Sequence, residues 1–156
     1  MDLIFNYIIV LPSFKCQHIQ ILKDCLIKPC MFGSLNEHFT HPYTRPDIVI
    51  IDKELNHVIL VEISVPFDAH LDKCYKEKFN KYFPLSVELD QMGYRVTIVV
   101  LILGSLGNVH NKFVSGLKMI GMKQSNAKYL TKYCSISAII GSYQIWQQRC
   151  KEINFN

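Results

Sequence analysis

Two short runs of β-branched residues, DIVIID at 47–52 and HVILVEISV at 57–65, stand four residues apart, and this spacing constrains the chain more than any other feature. Branched side chains are stiff in a helix and pack well on a pleated surface, so both runs read as strands. The KELN between them is polar and short, which suits an antiparallel hairpin. A regular closure sets Asp52 opposite His57, and the same register sets Asp47 opposite Glu62. Residues paired in this way share one face of the sheet with side-chain roots about 5 Å apart. Two like charges on otherwise apolar strands are costly unless something positive lies between them. A hard divalent cation such as Mg²⁺ meets that need with one or two carboxylates plus waters and phosphate oxygens. Shorter strands are the alternative, and they would leave Asp47 and Glu62 as solvated acids at the sheet rim. Asp52, beside the loop, reads as a turn residue.

The flanking segments read in turn. From Phe14 to Ile27 the positions Phe14, His18 or Ile19, Leu22, Cys25 and Leu26 recur at helical spacing, and Pro29 stops the run. Residues 30–46 are rich in turn formers and deliver an extended chain into Asp47. After Pro66, a helix beginning near Asp68 carries Leu71, Tyr75, Lys78, Tyr82, Leu85 and Leu89 at 4-3-4-3-4 spacing, an inward stripe that sets Lys78 toward the core. The alternative for Lys78 is to flank the stripe and reach for water. Pro84 either kinks this helix or starts its continuation to Met92. Tyr94–Leu103 is apolar on both faces and belongs inside a sheet covered on both sides. Gly104 and Gly107 turn the chain into a helix over 109–122, and a last helix covers 126–149.

At 156 residues and 49% hydrophobic content the chain suits a single domain, 14–151, behind a short extension at 1–13. The formal charge of +4 permits a polyanionic partner without demanding one. Six cysteines lie at irregular intervals with no CxxC pair, which implies reduced thiols in an intracellular protein. The apolar start carries Asp2 and no basic n-region, so a secretory signal is not expected. The runs LIFNYIIVL and VTIVVLIL are shorter than the roughly 20 residues that span a bilayer, and no membrane association is expected.

The strings RPDIVIIDKELNHVILVEISVPFDAH, EKFNKY and GYRVTIVVLILGSLG, in that order, resemble the endonuclease domain of site-specific non-LTR retrotransposon proteins, a branch of the restriction-endonuclease-like PD-(D/E)xK superfamily. The resemblance covers roughly residues 14–149. It implies an α/β fold, a small mixed sheet flanked by helices, and Mg²⁺- or Mn²⁺-dependent hydrolysis of phosphodiester bonds in DNA. Asp47, Glu62 and the carbonyl of Ile63 would hold the metal, Lys78 would act on the water or the transition state, and Tyr82 would support it. In the full-length relatives such a domain nicks target DNA to prime reverse transcription. This chain holds no reverse-transcriptase segment, so a detached or remnant domain of nuclear location is the expectation.

Two positions depart from the family pattern. Ser64 stands where the superfamily places its lysine, which in the retrotransposon branch has moved onto the following helix, at Lys78 with Lys81 as the alternate. Gln17-His18-Ile19 stands where the family has an Arg-His-Asn triplet, so only His18 is retained. A catalytically silent domain that binds DNA or a protein partner is therefore the rival reading. Cys16, Cys25, Cys30, His38 and His41 fit no standard zinc spacing. Gly104-Ser105-Leu106-Gly107 could cradle a phosphate before a helix or simply turn the chain. Lys112, Lys118, Lys123, Lys128 and Lys132 read as a solvated face, with a DNA-backbone patch as the alternative.

Overall fold

The structure, a computed structural model, describes residues 19–23 and 45–153. Four strands form one sheet in the order β1 (Ile19–Lys23), β2 (Ile48–Asp52), β3 (His57–Ser64), β4 (Arg95–Ile102). The first three pair antiparallel and β4 runs parallel to β3, so the sheet is mixed and the fold is α/β. A parallel neighbour requires a crossover, and helix α1 (Leu71–Gln91), entered through a 3-10 turn at Asp68–His70, provides it. Helices α2 (Phe113–Met119) and α3 (Gln124–Ile153) follow β4. Among the described residues no helix is long and apolar enough to cross a membrane.

The hairpin has the expected register. Asp52 pairs with His57 and Ile48 with Val61. The Asp52 carboxylate accepts the N–H groups of Glu54 and Leu55, both at 3.0 Å, and Asn56 takes the left-handed backbone that closes the turn (φ 46°). Period-two alternation then divides the sheet. Val49, Ile51, Val58 and Leu60 pack under Tyr82, Leu85 and Leu89 of α1, while Ile48, Ile50, Ile59 and Val61 pack against α2 and the first turns of α3. Both faces are covered, which accounts for the continuous apolar run of β4.

One element is corrected. Residues 19–23, expected in a helix over Phe14–Ile27, form a strand on the open edge of β2. Ile19 and Ile21 join one core and Leu22 the other, a period-two pattern that the helical spacing concealed. Satisfying the backbone groups along β2 outweighs the weak helical preference of a five-residue stretch. The remainder of that expected helix, and residues 30–44, lie outside the described residues.

An expected break is missing and one boundary moves. Helix α1 runs through Pro84 without a break and ends in a Schellman turn, Gly93 N–H to the Asp90 carbonyl (2.9 Å) and Tyr94 N–H to the Leu89 carbonyl (3.1 Å), with Gly93 at φ 88°. Helix α2 occupies only the middle of the expected 109–122, because Val109 is held in a β-bridge to Leu103.

Candidate active site

Glu62 lies on β3 with its side chain toward α1 and is 4% exposed, which excludes the rim-acid alternative for this residue. A carboxylate so placed requires compensation, and α1 delivers it from successive turns of the stripe. The Lys78 ammonium donates to Glu62 Oε1 at 2.5 Å, and the Tyr82 hydroxyl donates to Oε2 at 2.5 Å. Lys81 Nζ donates to the Tyr82 oxygen at 3.0 Å and stands 4.0 Å from Glu62. The Arg45 carbonyl, 2.9 Å from the Tyr82 hydroxyl, is a second acceptor there. Since a phenol has one proton to give, the shorter contact with the charged acceptor takes it, and the Arg45 carbonyl is the weaker, competing acceptor of the same proton.

Asp47 precedes β2 by one residue, and one more step of the hairpin register sets it across from Glu62. It is half-buried, and its Oδ2 accepts the Ile63 N–H at 2.6 Å. Its charge acts on both Lys78 and Tyr82. The hydrogen bond to Glu62 raises the Lys78 pKa above its ordinary value, with burial opposing it. Burial, reinforced by the bond to Glu62, pushes the Tyr82 phenol well above the usual range. The cluster is thus a charged ammonium and a neutral phenol on one buried carboxylate, with a second carboxylate alongside.

Of the residues singled out in the sequence, Asp47, Glu62, Ile63, Lys78, Lys81 and Tyr82 come together here. Ser64 takes no part in the cluster. It faces α1 one turn away, where the Cys74 thiol donates to its hydroxyl at 3.4 Å. His18 and the residues imagined as zinc ligands, Cys16, Cys25, Cys30, His38 and His41, lie outside the described residues. Among the described residues no group of three or more His, Cys, Asp or Glu side chains is arranged to hold a metal ion. Lys112, Lys118, Lys123, Lys128 and Lys132 are all exposed.

The phosphate-cradle alternative for residues 104–107 is corrected. The Asp68 carboxylate already occupies the loop, accepting the N–H of Leu106 at 2.7 Å and of Asn108 at 2.9 Å. Gly104 is required by this arrangement, because a Cβ there would lie 2.3 Å from Asp68 Oδ1. A second unforeseen contact is His110, buried and stacked on Tyr75 with centroids 4.5 Å apart. Its Nδ1 accepts the Lys112 N–H (3.2 Å), so Nε2 carries the proton toward Asp72 at 3.0 Å. Neither the acid ahead of a helix nor the glycine pair after a strand points by itself to the Asp68 clamp. The role of the Arg45 carbonyl, a backbone group, had no sequence signal.

Comparison with protein-family models finds no match to this sequence, and comparison with curated proteins finds no significant relative.

Proposed function

We propose that this chain is a divalent-metal-dependent DNA endonuclease domain of the PD-(D/E)xK type, akin to the domains of site-specific non-LTR retrotransposon proteins that its motifs resemble. The observation that carries the reading is the arrival of Lys78, from the helix after β3, at a buried Glu62 with Asp47 alongside. This is the geometry expected if the lysine has moved from position 64 onto α1.

The donor set fits Mg²⁺ or Mn²⁺, because two carboxylates are hard oxygen ligands and such ions take only one or two of them, leaving the rest to water and phosphate. Asp47 and Glu62 would hold the ion, with the Ile63 carbonyl as a third ligand. When bound, the ion lowers the pKa of a water and neutralises charge on the phosphate. Lys78 presents its ammonium to the same space and offsets negative charge on the pentavalent phosphorus in the transition state. Tyr82 fixes the orientation of Glu62. Supercoiled plasmid incubated with Mg²⁺ or Mn²⁺ should be nicked, and chelator, Asp47→Asn or Glu62→Gln should each abolish nicking. Intact plasmid under every metal condition would sink the proposal.

A second reading has its own observation. Both acids already have partners within the chain, Glu62 in Lys78 and Tyr82 and Asp47 in the Ile63 N–H, so the cluster can stand as a structural ion pair in a domain that binds DNA without cutting it. DNA retention that is unchanged by chelator, with no nicking, would select it.

A further inference from the structure

Helix α3 is apolar on two opposite sides. Ala127, Leu130 and Cys134 are buried against the core. Tyr129, Tyr133, Ile136, Ile140 and Tyr143 face outward and remain 62%, 47%, 47%, 50% and 53% exposed. Their 4-3-4-3 spacing is the seam that one helix offers another. It runs about 21 Å along the axis and exposes on the order of 500 Å² of large side chains, the size at which an apolar patch marks an interaction site.

The charges identify the occupant. Lys128 and Lys132 lie at the first end of the seam and Arg149 and Lys151 beyond its last residue, all exposed, and Glu152 is the one acid in the sequence of α3. A second copy of the chain fits poorly. It would bring a helix of the same sign, with four cations and one acid, against this one, and parallel pairing would set each cation against itself. A nucleic acid fits poorly as well, because no cation lies between Lys132 and Arg149 and the middle of the seam is isoleucine, which neither stacks on bases nor neutralises phosphate. We propose that the outer face of α3 is a docking surface for an amphipathic helix of a partner protein, apolar along its seam and acidic at its flanks. None of these residues belongs to the Glu62 cluster, so the surface is independent of whether the chain cuts DNA.

Trp146, the single tryptophan of the chain, is 59% exposed at the end of the seam and reports on its occupancy. The test titrates the full chain with a designed helical peptide of about three heptads, leucine at the seam positions and glutamate at the flanks. Trp146 emission should move to shorter wavelength and saturate at one peptide per chain. The same peptide with lysine flanks should bind at least ~10-fold more weakly at low salt, and added salt should narrow that difference. Ile140→Glu, at an exposed position, should weaken binding of the acidic peptide by ~10-fold or more while leaving the circular dichroism spectrum and melting curve unchanged. Absence of a saturable shift, or equal affinity for the two peptides, would overturn the proposal. So would a free chain that sediments as a dimer dissociated by Ile140→Glu, or a shift produced by anionic vesicles or single-stranded DNA and not by the acidic peptide.

Discussion

Replacing Lys78 by methionine keeps an unbranched apolar stem and removes the ammonium 2.5 Å from Glu62. Breaking a fully buried ion pair from one side strands the other charge and costs about 3–5 kcal/mol. Here the cost is smaller. The Lys78 side chain is 32% exposed, Lys81 remains 4.0 Å from Glu62, and the Tyr82 hydroxyl still donates to it. Discounting for these, we expect about 2 kcal/mol. In a chain of this size that lowers Tm by roughly 4–8 °C in a thermal melt followed by circular dichroism. Adding Glu62→Gln should recover part of the loss, because the stranded charge goes with it, and the coupling between the two sites should be favourable by about 1–2 kcal/mol.

The pH dependence has a definite sign. Lys78 has a raised pKa when folded, so its stabilisation is fully present below its ordinary value of 10.5 and is lost as pH rises through the folded value. The gap between parent and Lys78→Met should therefore stay constant from neutrality to about pH 10 and close above it. The Tyr82 phenol acts in the same direction, staying protonated in the fold at pH values where the unfolded chain releases its proton. A Lys78→Met protein that melts within about 1 °C of the parent at neutral pH would refute the claim that this pair holds Glu62 in place, as would strictly additive single and double variants.

Tyr82→Phe removes the phenol's bond to Glu62 and the Arg45 carbonyl contact, and urea unfolding should show a loss of about 1–2 kcal/mol with DNA affinity unchanged. Gly104→Ala would set a methyl group 2.3 Å from Asp68 Oδ1 and turn that flexible carboxylate out of the loop; a loss of about 1–2 kcal/mol is expected from the bonds given up, and Asp68→Ala in the same chain should add little to it. In the plasmid assay Lys78→Ala should lower the nicking rate by on the order of 100-fold with little change in DNA affinity, while Lys81→Ala should have a smaller effect; the reverse order would assign the reacting phosphate to Lys81.

The hairpin and the lysine were legible for one reason. Each rests on a periodicity, two residues for the strands and 3.6 for α1, and in each an error of one position would turn the side chain to the wrong face. Strand β1 was not legible, because IQILK is five residues long and compatible with either period. What makes it a strand is the edge of β2, far along the chain, which no local pattern records. The Asp68 clamp belongs to the same class. Its acid and its glycine loop each have an ordinary local meaning, a helix start and a turn, and only the crossover through α1 to β4 brings them together.

Two apposed acids implied that something positive must stand between Asp47 and Glu62, and a metal ion was the expected answer. The chain already carries one such charge in Lys78, bonded to Oε1 of the very carboxylate that would bind the ion. The two demands need not conflict, since Mg²⁺ requires few protein ligands and draws others from water and phosphate. They do compete for one oxygen, however, so a Glu62 fully held by Lys78 offers a weaker ion site than two unpaired carboxylates would. On the proposed reading, a phosphate diester arriving with its own charge would give the ammonium a second anion to contact and would leave more of Glu62 to a metal. On that reading Mg²⁺ should bind more tightly in the presence of DNA than in its absence, and a metal affinity that DNA leaves unchanged would count against it.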